Sequence, residues 1–209
     1  MNKVESQVLP GMFKNLEAKT GYQVIAVWEN GFRHITNNVR AIDKPDDLKG
    51  IKLRTPKSKW RVKMFQSYGA NPTPMSFSEV FTALKTGTMD GQENPYAQIA
   101  SAKFQEVQKY LSITGHVYTP AYVAVHKDHW SKLPADVRAI LEQAAQGTQK
   151  CVYEEAARLE KSLLGVIESA GVKVNTADKG DFIAASKGIY DQFASEVSTG
   201  GALIKKVSS

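Results

Sequence analysis

The order of apolar and polar positions divides the start of the chain into one helix and two extended pieces. Glu5–Lys19 has its apolar residues at helical spacing, with a proline in its first turns. Tyr22–Trp28 is a nearly continuous apolar run rich in β-branched residues, which predicts a strand covered on both faces. Asn30-Gly31 is a strong turn signal, so a separate second extended piece is predicted at Phe32–Thr36.

Short strands and helices then alternate along the middle of the chain. Lys44–Gly50 predicts a single helical turn, because a proline stands near its start, acids follow and a glycine ends it. The predicted strands are Ile51–Arg54, Thr88–Glu93, Leu111–Thr114 and Ala121–His126. The predicted helices are Ser58–Tyr68, a helix from Ser76 to Leu84 opened by a Ser76/Glu79 capping box, and Pro95–Lys109.

A long helical pattern without proline runs over Ala135–Ala170 and is closed by Gly171. A helix of this length would span roughly 54 Å, which exceeds the diameter of a small lobe and predicts a helix that crosses two lobes. The alternative is a bent helix, or two helices that meet at Gly147. A strand at Val172–Asn175, a helix at Asp181–Val197 and a short tail element follow.

The alternation of strands and helices predicts the α/β class. No linker or repeat separates domains, so two lobes would have to be interleaved by a chain that crosses between them. With 209 residues, 42% apolar and 23% charged, the composition is that of a folded globular protein. The net charge of +6 is spread along the chain and gives a mild attraction for anions.

The sequence lacks the motifs that are typical of several functional classes. The lone Cys151 excludes an internal disulfide and a cysteine metal cluster. The motifs GxGxxG, GxSxG and HExxH and the P-loop are absent, and His126 and His129 stand three apart without supporting ligands, so we predict no cofactor and no metal site. The first ten residues show no apolar signal core, which leaves either a cytoplasmic protein or a chain whose original N-terminus is absent.

Two polar residues end predicted strands and precede predicted helices. Arg54 is followed by Thr55-Pro56, and Asn94 is followed by Pro95. Ligands of α/β sheets bind outside the carboxyl ends of the strands, and a guanidinium holds a carboxylate through two parallel hydrogen bonds. These positions therefore indicate a site for a small organic acid. The alternatives are a surface ion pair of Arg54 with a nearby acid, such as Asp46 or Asp47, and a helix N-cap at Asn94.

Three further features remain open on spacing alone. Arg33 is either a site residue or a solvated strand residue, and Phe77 in the capping box is more typical of core packing. The basic run at Lys57, Lys59, Arg61 and Lys63 is distributed around a helix, so a solvated face is favoured over a nucleic-acid patch.

Several segments, in order along nearly the whole chain, resemble the TRAP-type extracytoplasmic solute receptors of the DctP-like family. They are Trp28–Asn37 (WENGFRHITN), Pro45–Pro56 (PDDLKGIKLRTP), Gly69–Pro74 (GANPTP), Glu79–Pro95 (EVFTALKTGTMDGQENP) and Trp130–Pro134 (WSKLP). The resemblance implies a two-lobed α/β receptor, similar to periplasmic binding proteins, whose lobes close on a small organic acid and share a long helix. It implies that Arg54 clamps the carboxylate and that Arg33, Asn94 and Phe77 complete the ligand contacts.

The resemblance also implies partners and a compartment. Members act in the periplasm and deliver their ligand to a membrane permease with a small and a large subunit, without ATP. Members carry a signal peptide and most of a first lobe before the point that matches residue 1. We therefore expect this chain to be the C-terminal two-thirds of such a receptor, with 1–118 and 160–209 in the second lobe and 119–159 returning to a mostly absent first lobe. We also expect the isolated chain to self-associate through Ala121–Val125.

Two rival functions make different demands on the sequence. An enzyme acting on a small carboxylic acid would use the same arginine, but it needs a general base or nucleophile that no motif supplies. A nucleic-acid-binding module needs a clustered basic face with aromatic residues. We therefore predict a transport receptor, no enzyme and no nucleic-acid partner.

Overall fold

The computed structural model describes residues 2–208 and resolves them into ten helices and six strands. The helices are α1 (Asn2–Gln7), α2 (Leu9–Thr20), α3 (Lys59–Ser67), α4 (Phe77–Lys85), α5 (Tyr96–Ser101), α6 (Lys127–Trp130), α7 (Ala135–Gly147), α8 (Gln149–Ser169), α9 (Lys179–Glu196) and α10 (Gly200–Ser208). The strands are β1 (Tyr22–Asn37), β2 (Lys52–Thr55), β3 (Asn71–Pro74), β4 (Gly91–Asn94), β5 (Tyr110–His126) and β6 (Lys173–Thr176). Short 3-10 turns occur at Pro45–Leu48 and Phe104–Glu106.

Local sequence signals explain where three of these helices begin or end. The Ser76/Glu79 capping box opens α4 as predicted, with both of its hydrogen bonds formed. The hydroxyl of Ser58 accepts from the backbone N–H of Arg61 and so caps α3. Gly21 ends α2 in the left-handed conformation, at φ 75°.

Two long strands replace four predicted extended pieces. The turn predicted at Asn30-Gly31 is wrong, because β1 continues through it. Gly31 has φ 106°, a backbone conformation that residues with a side chain rarely adopt. The pieces at 111–114 and 121–126 are likewise parts of the single strand β5, in which Gly115 has φ 53°. Both continuous strands therefore contain a glycine with a positive φ, and only the one at Gly31 coincides with a predicted turn.

The helix predicted from Pro95 to Lys109 is also shorter than expected. α5 ends at Ser101, and Lys103 then adopts a left-handed φ of 57°, which stops helical propagation. The long helix over 135–170 is present but bent, with α7 and α8 meeting at Thr148. None of the helices within residues 2–208 is long and apolar enough to cross a membrane.

The six strands form one sheet in the order β3-β2-β4-β1-β5-β6. β2 is parallel to both β3 and β4, so these three strands have their carboxyl ends at the same edge of the sheet. β1 runs antiparallel to β4, with His34 opposite Asn94 and Thr36 opposite Gln92. This register places the beginning of the Arg33–Asn37 segment beside the end of β4.

The chain divides into two compact units that do not coincide with continuous segments. One unit comprises residues 1–30, 120–157 and 193–209, and the other comprises 31–119 and 158–192. The long strands and α8 contribute residues to both units. The proposed lobe boundaries at 118/119 and 159/160 remain a prediction.

The unit of 31–119 and 158–192 has two apolar cores. One core contains Ile35, Leu53 and Phe65, and the other contains Leu84, Ile99 and Ile167, all of which are buried. In the other unit, the Trp28 indole N–H donates to the carbonyl of Ala145 (2.9 Å). That unit also exposes several apolar side chains: Met12, Leu16, Tyr122, Ile140 and Leu141.

Candidate functional site

The candidate site lies in one unit, at the carboxyl ends of β2 and β4. Arg54 pairs with Gln92 across the parallel strands β2 and β4. Asn94 is the last residue of β4, and its partner in the antiparallel ladder is His34, next to Arg33. The sheet topology therefore places Arg33, Arg54 and Asn94 on neighbouring strands at one edge.

The centre of the site is the carboxylate of Glu93, whose side chain is completely buried. Arg33 donates to it through Nε (2.5 Å) and Nη2 (3.0 Å). Arg61, from α3, donates through Nη1 at 2.6 Å, and His116, from β5, lies 3.1 Å away through Nε2. Arg33 also donates to the carbonyl of Glu93 (2.6 Å). Two guanidinium groups and one imidazole thus converge on a single carboxylate.

The protonation states follow from these contacts. Burial raises the pKa of Glu93, but the hydrogen bonds from His116 and Arg33 and the charges of the two arginines outweigh it and lower this pKa to about 2. Burial lowers the pKa of His116, although Glu93 acts in the opposite direction. Glu93 is therefore ionised and His116 neutral near pH 7. A charged carboxylate only accepts, so Nε2 of His116 carries its proton and donates to Glu93.

Arg54 is 3% exposed, and its Nε and Nη2 both donate to the carbonyl of Met75, at 3.0 and 2.6 Å. A surface ion pair is therefore the wrong alternative for Arg54, since the Asp47 carboxylate instead accepts from the backbone of Asp43 and Lys44. Burial lowers the pKa of Arg54, and the nearby charge of Glu93 opposes that change. Among the contacts of the described residues, Nη1 of Arg54 has no hydrogen-bond partner.

Asn94 is also buried, but it does not cap α5. The N-cap residue is Pro95, and no side chain caps this helix. The Asn94 amide is instead held within the site, because Oδ1 accepts from Arg33 (2.9 Å) and Nδ2 donates to Gln92 (2.5 Å). The predicted capping role was wrong because α5 begins at Tyr96, so that Pro95 and not Asn94 occupies the N-cap position.

Two expectations about basic residues are corrected by burial. Arg33 is 7% exposed and ion-paired, so it is not a solvated strand residue. Arg61 was grouped with the solvated basic run, yet its side chain is only 12% exposed and it is paired with Glu93. Spacing alone could not separate Arg61 from its lysine neighbours, because the acid that attracts it lies on a strand 32 residues later.

Phe77 opens α4 and is 45% exposed, with its ring tilted against that of Phe104 at 5.6 Å between centroids. Phe77 is therefore not a buried core residue, because nearly half of it is accessible to solvent. His34 is buried and stacks on Tyr96 (4.5 Å), while its Nδ1 accepts from the backbone N–H of Gly115 (3.1 Å). Burial, together with His116 and Lys179, lowers the pKa of His34 to about 3.

Sequence reasoning missed Glu93, His116 and Gln92 as site residues. One signal was available: β4 reads Gly-Gln-Glu-Asn and is buried at every position, although it contains no apolar side chain. Polar residues in the middle of a sheet need hydrogen-bonding partners, so this composition indicates a buried polar network. His116 had no comparable signal, because its neighbours along the chain do not indicate which strand it faces.

The arrangement is suited to binding an anion. Three guanidinium groups, from Arg33, Arg54 and Arg61, stand against the single carboxylate of Glu93, and this leaves an excess of two positive charges. Buried positive charge in excess of its counter-charge is stabilised by an anion that can accept hydrogen bonds. Within residues 2–208 no group of three or more His, Cys, Asp or Glu side chains is arranged to hold a metal ion.

Comparison with known proteins identifies the family. Residues 2–196 match the sequence profile described as bacterial extracellular solute-binding protein, family 7 (DctP). The chain belongs to this family. Family 7 comprises the periplasmic solute-binding proteins of TRAP transporters, so the resemblance predicted from the sequence is confirmed. This is a family of binding proteins, which supports a receptor and not an enzyme.

Curated family 7 relatives are similar over most of this chain. A solute-binding protein of Verminephrobacter eiseniae is 42% identical over 193 residues, which are 90% of this chain and 56% of the relative. The 2,3-diketo-L-gulonate-binding periplasmic protein of Escherichia coli is 39% identical over 92% of this chain and 59% of its own length. The chain thus spans less than two-thirds of the length of these relatives.

A solved structure supports the same fold. A TRAP periplasmic solute-binding protein of Roseobacter denitrificans with bound L-galactonate superimposes with a TM-score of 0.92 and 34% identity, over 99% of this chain and 69% of that one. The predicted α/β fold of a TRAP receptor is therefore confirmed for the part that the chain covers.

Proposed function

We propose that this family 7 chain is part of the extracytoplasmic receptor of a TRAP transporter and captures a small organic acid, most specifically a sugar acid. Arg54 binds the ligand carboxylate, while Arg33, Asn94 and Phe77 provide further contacts. The receptor acts in the periplasm and delivers its ligand to the small and large membrane subunits of the permease. The lobe assignment proposed above, with 1–118 and 160–209 in the second lobe, belongs to this proposal.

The observation that carries the proposal is the uncompensated positive charge at the sheet edge. Glu93 neutralises one of the three neighbouring arginines, and Arg54 is the one whose hydrogen bonds go to a backbone carbonyl and not to the carboxylate. A ligand carboxylate can accept from the remaining N–H groups of Arg54. The aromatic ring of Phe77 offers an exposed apolar contact for the carbon chain of a ligand.

The relatives support the class of ligand. The Escherichia coli relative binds 2,3-diketo-L-gulonate and the Roseobacter structure holds L-galactonate, and both ligands are six-carbon sugar acids. A sugar acid combines one carboxylate with several hydroxyl groups, which matches a site built from arginines, an asparagine amide and an aromatic ring.

The test compares an acid with its uncharged cyclic ester. The chain is joined at its N-terminus to the preceding part of the Verminephrobacter relative, and the fusion is titrated calorimetrically with L-galactonate, D-erythronate and L-galactono-1,4-lactone. The proposal expects at least one acid to bind, and the lactone, which lacks the carboxylate, to bind at least about a hundredfold more weakly. Equal binding of lactone and acid, or no binding of any sugar acid or other organic acid, would contradict it.

A further inference from the structure

A continuous line of side-chain hydrogen bonds crosses the buried interior beside the site. Its members, in order, are Gln108, Thr36, Gln92, Asn94 and Arg33. Each of these residues is at most 7% exposed. Thr36 and Gln92 are direct partners in the β1–β4 ladder, so the sheet register itself brings the middle of the line together. We call this line the amide relay.

Both ends of the amide relay have a fixed hydrogen-bonding polarity. At one end Nε2 of Gln108 donates to the backbone carbonyls of Asp90 (3.3 Å) and Val107 (3.1 Å), which can only accept. Oε1 of Gln108 must therefore face Thr36. At the other end the guanidinium of Arg33 can only donate, so the Asn94 amide must present Oδ1 to it.

The hydrogen bonds in the middle of the relay have the same direction as those fixed at its two ends. The single hydroxyl proton of Thr36 goes to Oε1 of Gln108 (2.9 Å), so the Thr36 oxygen must accept from Nε2 of Gln92 (2.9 Å). Gln92 then presents Oε1, which accepts from Nδ2 of Asn94. If any one amide rotated by half a turn, two donors or two acceptors would face each other in a buried environment, which is strongly unfavourable.

We propose that Gln108, Thr36 and Gln92 are positioning residues that fix the orientation of the Asn94 amide and so help to determine ligand specificity. Within the described residues, one N–H of Asn94 remains after Oδ1 is bound to Arg33 and the other N–H to Gln92. Asn94 therefore offers a ligand a donor of fixed direction, which selects a carboxylate or hydroxyl oxygen over an ammonium group. The specificity part rests on the proposed function, whereas the fixed orientation does not.

The test removes one hydroxyl and keeps the shape of the side chain. Thr36→Val deletes the central donor and acceptor, whereas Thr36→Ser keeps the hydroxyl. Thr55→Val is the matched control, because Thr55 is equally buried on β2, which β4 separates from β1, and its hydroxyl has no hydrogen-bond partner among the described residues. In all variants, NMR measures the solvent exchange of the Asn94 side-chain amide protons in the chain without ligand.

The proposal expects Asn94 amide exchange to become about tenfold faster in Thr36→Val and to stay at the wild-type rate in Thr36→Ser and Thr55→Val. It is overturned if Thr36→Val exchanges within twofold of wild type, or if Thr55→Val accelerates exchange equally. If Thr36→Val does not fold, Gln108→Met removes the far end of the relay and decides by the same criterion.

A second measurement separates this proposal from the proposed function. In the fusion protein, Thr36→Val should weaken L-galactonate binding about tenfold while Thr36→Ser restores it. If wild type binds no sugar acid, the proposed function fails, but the exchange data still decide whether the relay orients Asn94. If L-galactonate binds equally to wild type and Thr36→Val, the specificity role of the relay is wrong.

Discussion

Replacing Glu93 by glutamine should expose how strongly the buried network depends on one negative charge. The substitution keeps the size of the side chain, but it leaves Arg33 and Arg61 without their counter-charge and places an amide N–H₂ among donors. The lowering of the Glu93 pKa from 4.5 to about 2 corresponds to about 3 kcal/mol at about 1.36 kcal/mol per pKa unit. Breaking a buried ion pair by removing one partner typically costs about 3–5 kcal/mol, which agrees with this value.

We therefore expect Glu93→Gln to lower the free energy of unfolding at pH 7 by about 3–4 kcal/mol, measured by urea denaturation with circular dichroism. Because the folded-state pKa is lowered, this stabilisation is present above about pH 4.5 and is lost as the pH falls towards 2. The difference between wild type and Glu93→Gln should therefore shrink across that range. Glu106→Gln is the control, because its ion pair with Lys103 is exposed and should contribute less than about 1 kcal/mol.

Two results would contradict the assigned role of the Glu93 charge: a loss of unfolding free energy in Glu93→Gln no larger than that in Glu106→Gln, or a loss that is the same at pH 3 and pH 7. The first result would mean that water or other groups compensate the arginines as well as the carboxylate does. The second would mean that the loss comes from packing and not from the charge of Glu93.

Three further predictions concern stability and association. The pKa of His34 is lowered to about 3, so protonation of the unfolded state below about pH 6.5 opposes folding. His34→Gln should therefore recover about 2 kcal/mol of the stability lost between pH 7 and pH 5, measured by urea denaturation at both pH values. Gly91→Ala would bring a Cβ into collision with the backbone oxygen of Thr36 in β1 and should lower the thermal midpoint by several degrees. Gly147→Ala, in open space on a helix, should not lower it. Amide hydrogen exchange should be fast at Ala121–Val125 and slow at Val24–Val27, with self-association seen by light scattering; uniformly slow exchange in a dilute monomer would contradict this.

The sequence predicted most elements because their signals are local. The capping box at Ser76 and Gly171 after the long helix operate within one turn of helix, and both act as expected. Local signals failed at Asn30-Gly31, where the pairing of β1 with its neighbours overrides the turn preference. A turn signal reflects the backbone conformation that a dipeptide prefers in isolation, whereas strand pairing in the sheet determines the conformation that it adopts in the fold.

For the site, the sequence and the family resemblance predicted Arg54, Asn94 and Arg33, and the structure brings them to neighbouring strands. The resemblance contributed most, because spacing left alternatives open at each of these positions. The polar composition of β4 indicated a buried network around Glu93, but the partners of Glu93 were not predictable, since Arg33, Arg61 and His116 come from three different elements. Contacts between residues far apart in sequence leave no periodic pattern, so they become visible only when the fold is known.

The most direct test of the account is the affinity of Arg54→Lys for a sugar acid, measured by calorimetry in the fusion protein with L-galactonate. Arg40→Lys is the matched control, because Arg40 also donates to backbone carbonyls but lies outside the site. An ammonium cannot reproduce the planar fork of a guanidinium, so the loss should be about 2–5 kcal/mol, or at least about thirtyfold in Kd. We predict this loss for Arg54→Lys and unchanged binding for Arg40→Lys. Binding of Arg54→Lys within threefold of wild type would contradict the assignment of Arg54 as the carboxylate-binding residue.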